Sequence, residues 1–264
     1  MTSKTDSEAS KTPPRVTSSQ DEPVRLKRFY KIVSVQAVSV DGPGPGHHAI
    51  HLDDRPIKTP GRNKLALPTA ALAAAIGEEW SAQGEFVEPQ SMPLTKLSNT
   101  IIDGILVDPD AIRKDLAAFA NQDLICYRAD RPDELVEMQA KAWDPFVKWA
   151  QGTFKARPVL TAGIMPVEQS VDYQHGAQAH IAKLEPWALG PIHVMTTLVG
   201  SAVMALAHAD GTWTAEDVWK AAHVDEDWQA ENWGHDAEAA ERRKFRTAEM
   251  MAAARFLALS RDHS

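Results

Sequence analysis

The chain has 264 residues, of which 44% are hydrophobic, and it carries a net charge of −8 at neutral pH. This apolar content is enough to bury a core, and the length suits one large domain or two small ones. The acidic balance, without a long stripe of lysine and arginine, argues against nucleic-acid binding and against a membrane-surface role.

The single cysteine, Cys126, excludes a disulfide framework and favours a reducing compartment. Because it stands in an apolar run, we predict a buried small side chain and not a nucleophile. The longest apolar stretch, 189–207, is interrupted by polar residues and glycine, so it predicts a buried helix and no membrane insertion. The N-terminus resembles neither a secretory signal nor a mitochondrial presequence, and we therefore expect a bacterial cytoplasmic protein.

The first half of the chain predicts a disordered tail followed by short strands. Residues 1–24 have almost nothing to bury. β-Branched residues predict a first strand within 29–40, and a glycine–proline turn comes next at 42–46. Further strands are predicted around Ile50 and Leu52, at 57–59, and around Leu65 and Leu67.

A helix is then predicted over 69–83, with Thr69 as its N-cap and an apolar stripe formed by Leu72, Ile76 and Trp80. Such a helix would cover the small sheet, which is too small to be stable alone. A second helical period runs from Leu94 to Ile105.

Beyond residue 105 the pattern is helical. Asp108, with Pro109 after it, predicts one helix start, and Asp133 predicts another whose helix Pro145 should kink or end. Further helices are expected at 173–184, at 186–209 as one long apolar helix with Gly200 and Ser201 packed inside it, and at 236–259. Thr214 and Asp217 have the spacing of a capping box.

This order of strands first and helices later predicts an α+β fold. We expect a disordered tail at 1–24 and an N-terminal domain at 25–105, a β-meander covered by a helix. A larger all-helical domain should occupy 106–264.

No enzyme signature rises above the background of chance patterns, so we predict no catalytic residue, no metal site and no cofactor. The alternative is a small hydrolase or metalloenzyme. It would use His47 and His51, which share a face of the predicted strand while His48 points away, with Asp53, near 47–53. Otherwise it would use the clusters His223/Glu226 and His235/Asp236, near 223–236. Pairs three residues apart on a helix also arise by chance on solvated faces.

Tryptophan usage is unusual, with 8 tryptophans against 3 tyrosines. Trp80 and Trp143 stand at helical spacing among apolar residues and predict structural roles. Trp228 and Trp233 lie among carboxylates, the mixture of aromatic anchor and polar rim that binding hot spots have. The alternative is that both rings pack inward while the acids face water.

The segment 225–241 contains seven acidic residues and no lysine or arginine. Their mutual repulsion costs stability unless a partner offsets it, or unless the bases at 242–246 do so. The sequence alone leaves both explanations open.

Several short segments together resemble the ATP12 chaperone family. They run in order from about residue 25 to the end of the chain, at 28–31, 52–60, 79–83, 92–97, 123–128, 143–145, 225–229 and 233–236. One departure is His235, where family members often carry glutamate after the Trp-Gly pair.

The resemblance implies a non-enzymatic chaperone that binds the free α subunit of the F1 ATP synthase and protects it from aggregation until the β subunit replaces the chaperone. It also implies an α+β N-terminal part, a helical domain, and an origin in mitochondria or α-proteobacteria. We expect the protein to be a monomer when free. Combined with the aromatic and acidic pattern, the resemblance makes the candidate partner-binding residues Glu226, Trp228, Gln229, Trp233 and Asp236.

Overall fold

The computed structural model describes residues 26–38, 47–163, 165–234 and 236–261. A small antiparallel sheet comes first and helices form most of the rest of the chain, which confirms the predicted α+β class. The predicted tail at 1–24, the turn at 42–46 and His235 lie outside the described residues.

The sheet is built around its second strand. The strands are β1 (Val33–Ala37), β2 (His48–Leu52), β3 (Arg55–Pro56) and β4 (Ala66–Leu67), and β2 pairs antiparallel with each of the others. Asp53 and Asp54 have positive φ angles of 47° and 66° and form a two-residue turn between β2 and β3. Because this turn returns the chain at once, the third strand begins at Arg55 and not at Ile57 as predicted.

The helix α1 (Ala70–Ser81) covers the sheet as the apolar stripe predicted. The Thr69 hydroxyl accepts a hydrogen bond from the backbone N–H of Leu72 at 3.1 Å, which confirms the N-cap. Gly77 faces β1, where an added Cβ would lie 3.6 Å from a Val35 methyl. Such a distance is an ordinary van der Waals contact, so the helix packs directly on the strand at this point.

The next helix, α2 (Pro93–Thr100), continues into a wider π-helical turn at Ile101–Ile105. The apolar period predicted a helix here but not the wider turn. The helix α3 (Pro109–Asn121) then begins as predicted, because the Asp108 side chain accepts from the N–H of Ala111 at 3.3 Å.

One expectation about the following helix was wrong, and of the two outcomes predicted at Pro145, a kink or an end, the structure excludes the second. The helix α4 (Asp133–Phe154) begins after Pro132, and Asp133 is its first residue rather than a cap bonded through its side chain. Its negative charge still favours the helix N-terminus. The helix also does not end at Pro145, because Trp143, Phe146 and other buried side chains on both sides of the proline hold it in the core. A short parallel pair, β5 (Tyr127–Arg128) and β6 (Thr161–Ala162), flanks this helix in sequence.

The predicted long apolar helix is two helices. After α5 (Val171–Ile181) come α6 (Pro186–Val199) and α7 (Ala202–Ala209). Gly200 takes a φ of +69° at the end of α6, a conformation that favours glycine, and the Ser201 hydroxyl caps α7 by accepting from the N–H of Met204 at 3.0 Å. Gly200 and Ser201 therefore separate two helices and do not pack within one.

The last three helices are α8 (Ala215–Ala222), α9 (Val224–Trp233) and α10 (Ala237–Ser260). The capping box of Thr214 and Asp217 is confirmed, with both reciprocal hydrogen bonds present. The main buried cluster includes Ile50 of the sheet as well as Phe256 of α10. The boundary expected near residue 105 stays a prediction.

Candidate partner-binding site

The candidate site is the corner between α9 and α10. The helix α9 ends at Trp233, and Gly234 turns the chain with a φ of +94°. Asp236 then caps α10 by accepting a hydrogen bond from the N–H of Glu238 at 2.9 Å. The first two turns of α10 are largely exposed, so the corner projects from the helical core.

The two tryptophans of this corner lie in different environments. Trp228 is buried, with 9% of its surface exposed, whereas Trp233 is 73% exposed. Their rings meet edge to face with centroids 5.1 Å apart, and the indole N–H of Trp228 donates to a Glu134 carboxylate oxygen at 3.3 Å. Trp228 therefore supports Trp233, which presents its ring to solvent.

A cleft of about 530 Å³ lies beside the exposed ring. Four of the five candidate residues line it, namely Glu226, Gln229, Trp233 and Asp236, and Trp228 does not. Across the cleft stand arginines of α10, among them Arg242 and Arg246. The cleft thus joins an apolar ring to a rim that carries both charges.

The acidic stretch is partly neutralised by the bases that come after it. Arg243 pairs with Asp227, Arg242 pairs with Glu238, and the Lys244 ammonium lies 3.9 Å from Glu241. The hydrogen bond that Arg243 donates to Asp227 raises the pKa of Arg243 above its ordinary value. Of the two explanations that the sequence left open, neutralisation by nearby bases applies to these three carboxylates.

Glu226 lies beside a histidine and forms no ion pair with the bases of α10 among the described residues. It is exposed, and its carboxylate lies 3.8 Å from Nε2 of His223, which is buried. The His223 ring packs against Trp219 with centroids 3.9 Å apart, and its Nδ1 is 2.7 Å from the Trp219 carbonyl oxygen, to which it donates. Burial lowers the pKa of His223, although that hydrogen bond and Glu226 act in the opposite direction. Its ring lies beneath the cleft and is not among the residues that line it.

Cys126 and Ser201, two side chains of nucleophile type, have structural positions. Burial raises the pKa of the Cys126 thiol to about 12, so a thiolate does not form near neutral pH. The Ser201 hydroxyl is engaged as a helix cap. In the part of the chain that the structure describes, no group of three histidine, cysteine, aspartate or glutamate side chains is placed to hold a metal ion.

Trp80 and Trp143 lie where structural roles require them. Two apolar clusters meet at Trp80, the main one and a smaller one formed by Tyr30, Leu52, Val87 and Met92. Trp80 is half-buried and packs against both, with its ring 5.7 Å from that of Tyr30. Trp143 is fully buried, and its indole N–H donates to the Ala221 carbonyl at 2.7 Å. That bond ties α4 to α8, beneath the candidate corner.

Comparison with known proteins gives the family. Residues 27–151 match the family model described as ATP12 chaperone protein. The crystal structure of Atp12 from Paracoccus denitrificans is 38% identical, has a TM-score of 0.83, and covers 89% of this chain and 99% of its own. The chain belongs to the ATP12 chaperone family. The Atu1473 protein of Agrobacterium tumefaciens is also similar, with 43% identity, a TM-score of 0.82, and coverage of 88% of this chain and 85% of its own.

This ATP12-family chain has no described helix that is both long and apolar enough to cross a membrane. One feature of its surface did not stand out in the sequence, a hairpin at residues 55–64 that carries four bases and no acid. The signal was available as a local charge count, but the acidic balance of the whole chain concealed it.

Proposed function

We propose that this protein is an assembly chaperone for the F1 sector of ATP synthase. It binds the free α subunit through the corner of α9 and α10 and prevents its aggregation until α pairs with β. The observation that carries the proposal is the exposed Trp233 ring, supported by buried Trp228 beside a cleft, in a chain of the ATP12 family.

The chemistry of the corner suits a client that must later be released. A free subunit of a ring exposes apolar surface that its neighbours normally cover, and such surface aggregates. One large aromatic anchor with a charged rim gives a moderate interface that excludes water at its centre and remains reversible. Trp233 is the anchor, and Glu226, Gln229 and Asp236 form the rim nearest to it.

We also propose where the protein acts and in what state. We place the protein in a bacterial cytoplasm, as a monomer when free, without catalytic activity and without a cofactor. The β subunit displaces the protein from α by competition, because both bind apolar surface of α.

The direct test is aggregation of purified α subunit, followed by light scattering after dilution from denaturant. The wild-type protein should suppress scattering at about one chaperone per α subunit, and the complex should run as one species in gel filtration. Adding β subunit should release the chaperone. If α aggregates equally with and without a molar excess of the protein, the proposal is wrong.

A further inference from the structure

The hairpin at residues 55–64, here called the basic hairpin, presents a cationic surface on a protein of net charge −8. Its four basic residues, Arg55, Lys58, Arg62 and Lys64, are all exposed. Among the described residues, no carboxylate forms an ion pair with any of them. The cluster differs in this respect from Arg242, Arg243 and Lys244 of α10, which pair with acids of α9 and α10.

Two of these bases face each other across the hairpin. Lys58 and Lys64 form an antiparallel bridge, flanked by hydrogen bonds from the N–H of Leu65 to Ile57 at 3.1 Å and from the N–H of Thr59 to Asn63 at 2.9 Å. They therefore occupy a non-hydrogen-bonded pair, the position where opposite residues approach most closely. Like charges directly opposite each other destabilise a hairpin. An anion lying between them would remove that cost.

The backbone at the tip of the hairpin is strained, which is a second local destabilising feature. The N–H of Arg62 donates to the Thr59 carbonyl at 2.9 Å, which closes a three-residue loop, and Arg62 takes a φ of +66°. Glycine or asparagine is favoured at this left-handed position, and an arginine there is strained. The position nevertheless holds a charged side chain.

The loop is held rigidly by one carboxylate. Asp103, in the π-helical turn, accepts hydrogen bonds from the Thr59 hydroxyl at 2.6 Å, the Gly61 N–H at 2.7 Å and the Asn63 side chain at 2.8 Å. A Cβ on Gly61 would lie 2.6 Å from that carboxylate, so only glycine fits. Although partial burial acts the other way, these bonds lower the pKa of Asp103. The four cations therefore stand on a preorganised scaffold, which reduces the entropy lost on binding.

We propose that the basic hairpin is a second docking surface, which binds an acidic segment of the client protein. This inference rests on the proposed function for the identity of the client. The inference extends the proposed function by giving the protein two contacts of opposite charge, an acidic rim at α9–α10 and a cationic hairpin on the sheet. Such opposed patches fix the orientation of a partner and speed its encounter.

The occupant is a protein segment for two reasons. The hairpin has no aromatic residue on which nucleic-acid bases could stack. The chain as a whole is acidic and repels extended polyanions such as nucleic acid or an anionic bilayer, whereas a short acidic segment contacts the hairpin alone.

The test separates charge from structure. In Arg62→Gly the strained position becomes relaxed, and in Lys64→Gln the like-charge pair disappears, so the double variant should melt at or above the wild-type temperature. A matched control is Lys155→Gly, which also removes an exposed cation at a left-handed position, with a φ of +63°, at the end of α4. Binding of purified α subunit is measured by surface kinetics at low and physiological ionic strength.

We expect the double variant to slow association about fivefold or more at low salt, and Lys155→Gly to associate as wild type does. If the double variant associates with α subunit at the wild-type rate, the inference is wrong and the proposed function is unaffected. If wild type itself does not bind α, the proposed function fails, and a fluorescent ten-residue glutamate-rich peptide then decides the inference. Equal peptide binding by wild type and double variant refutes it, and a loss confined to the double variant supports it.

Two further outcomes would also overturn the choice of occupant. One is a concentration-dependent dimer that the double variant abolishes, since a second copy would then occupy the hairpin. The other is tight binding of a short RNA oligonucleotide that is lost in the double variant but kept in Lys155→Gly.

Discussion

The Trp233 ring stands edge-on against Trp228, with ring centroids 5.1 Å apart and planes at 88°. Edge-to-face packing of this kind stabilises an aromatic pair beyond the area it buries. The buried ring fixes the position of the exposed one, so we expect the two tryptophans to contribute to stability and to binding in different ways. Substitutions at the two positions should therefore separate stability from binding.

We predict that Trp233→Ala melts close to wild type, because its ring is mostly exposed. Its affinity for α subunit should fall about tenfold or more, as for a central hot spot. Trp228→Ala should lose about 3 kcal/mol of unfolding free energy through the cavity it leaves. Urea denaturation and binding titrations measure both. A Trp233→Ala variant with wild-type affinity would remove the anchor from the proposed site.

The acidic rim should act mainly on the association rate. Glu226→Lys reverses an exposed charge, and Asp236→Asn removes a charge while asparagine still caps α10. Together they should slow association with α subunit at low salt, and the wild-type rate should fall as ionic strength rises. Stopped-flow kinetics test this. An unchanged rate that is also insensitive to salt would show that these acids are only solvated.

Trp80→Ala should destabilise the fold by about 3 kcal/mol, since the ring packs against both apolar clusters. Trp80→Phe keeps most of that contact and should lose less. Loss of chaperone activity should follow loss of stability in both variants. The structural assignment is refuted if Trp80→Ala unfolds at the wild-type urea concentration and yet fails to bind α subunit.

His223 should make stability depend on pH. Burial lowers its pKa in the folded protein, so the unfolded chain binds the proton more readily. The contribution of His223 is complete above its unfolded pKa of about 6.5 and is lost as pH falls below it. His223→Gln should flatten the fall in unfolding free energy between about pH 7.5 and pH 5. The exposed His175→Gln is the control and should retain the wild-type slope.

Much of the fold arises from local chemistry. Thr69, Asp108 and the pair of Thr214 and Asp217 begin helices as the sequence predicted, because a cap needs only a side chain within three residues of the N–H it accepts from. Apolar spacing likewise predicted α1, because apolar residues repeated every three to four positions form one face of a helix, and that face packs against the core.

Where local signals competed, the outcome was decided by local backbone chemistry in one case and by tertiary packing in another. The apolar run predicts Gly200 and Ser201 as packing residues inside one helix, but their own backbone preferences end α6 and begin α7. Pro145 carries a breaking signal, and the buried side chains around it keep α4 continuous. A single proline removes one backbone hydrogen bond, and this loss is smaller than the gain from burying several large side chains.

The mixture of aromatic and acidic side chains in 225–236 can be recognised from the amino-acid order alone. Whether each ring is buried cannot, because the burial of Trp228 and the exposure of Trp233 depend on tertiary contacts such as the one with Glu134 of α4, far away in sequence. The same holds for charge: Arg243 neutralises Asp227 from the next helix, whereas the four bases of the basic hairpin form no ion pair with any described carboxylate. Burial and ion pairing are set by long-range contacts, and these arise only once helices and sheet have packed together.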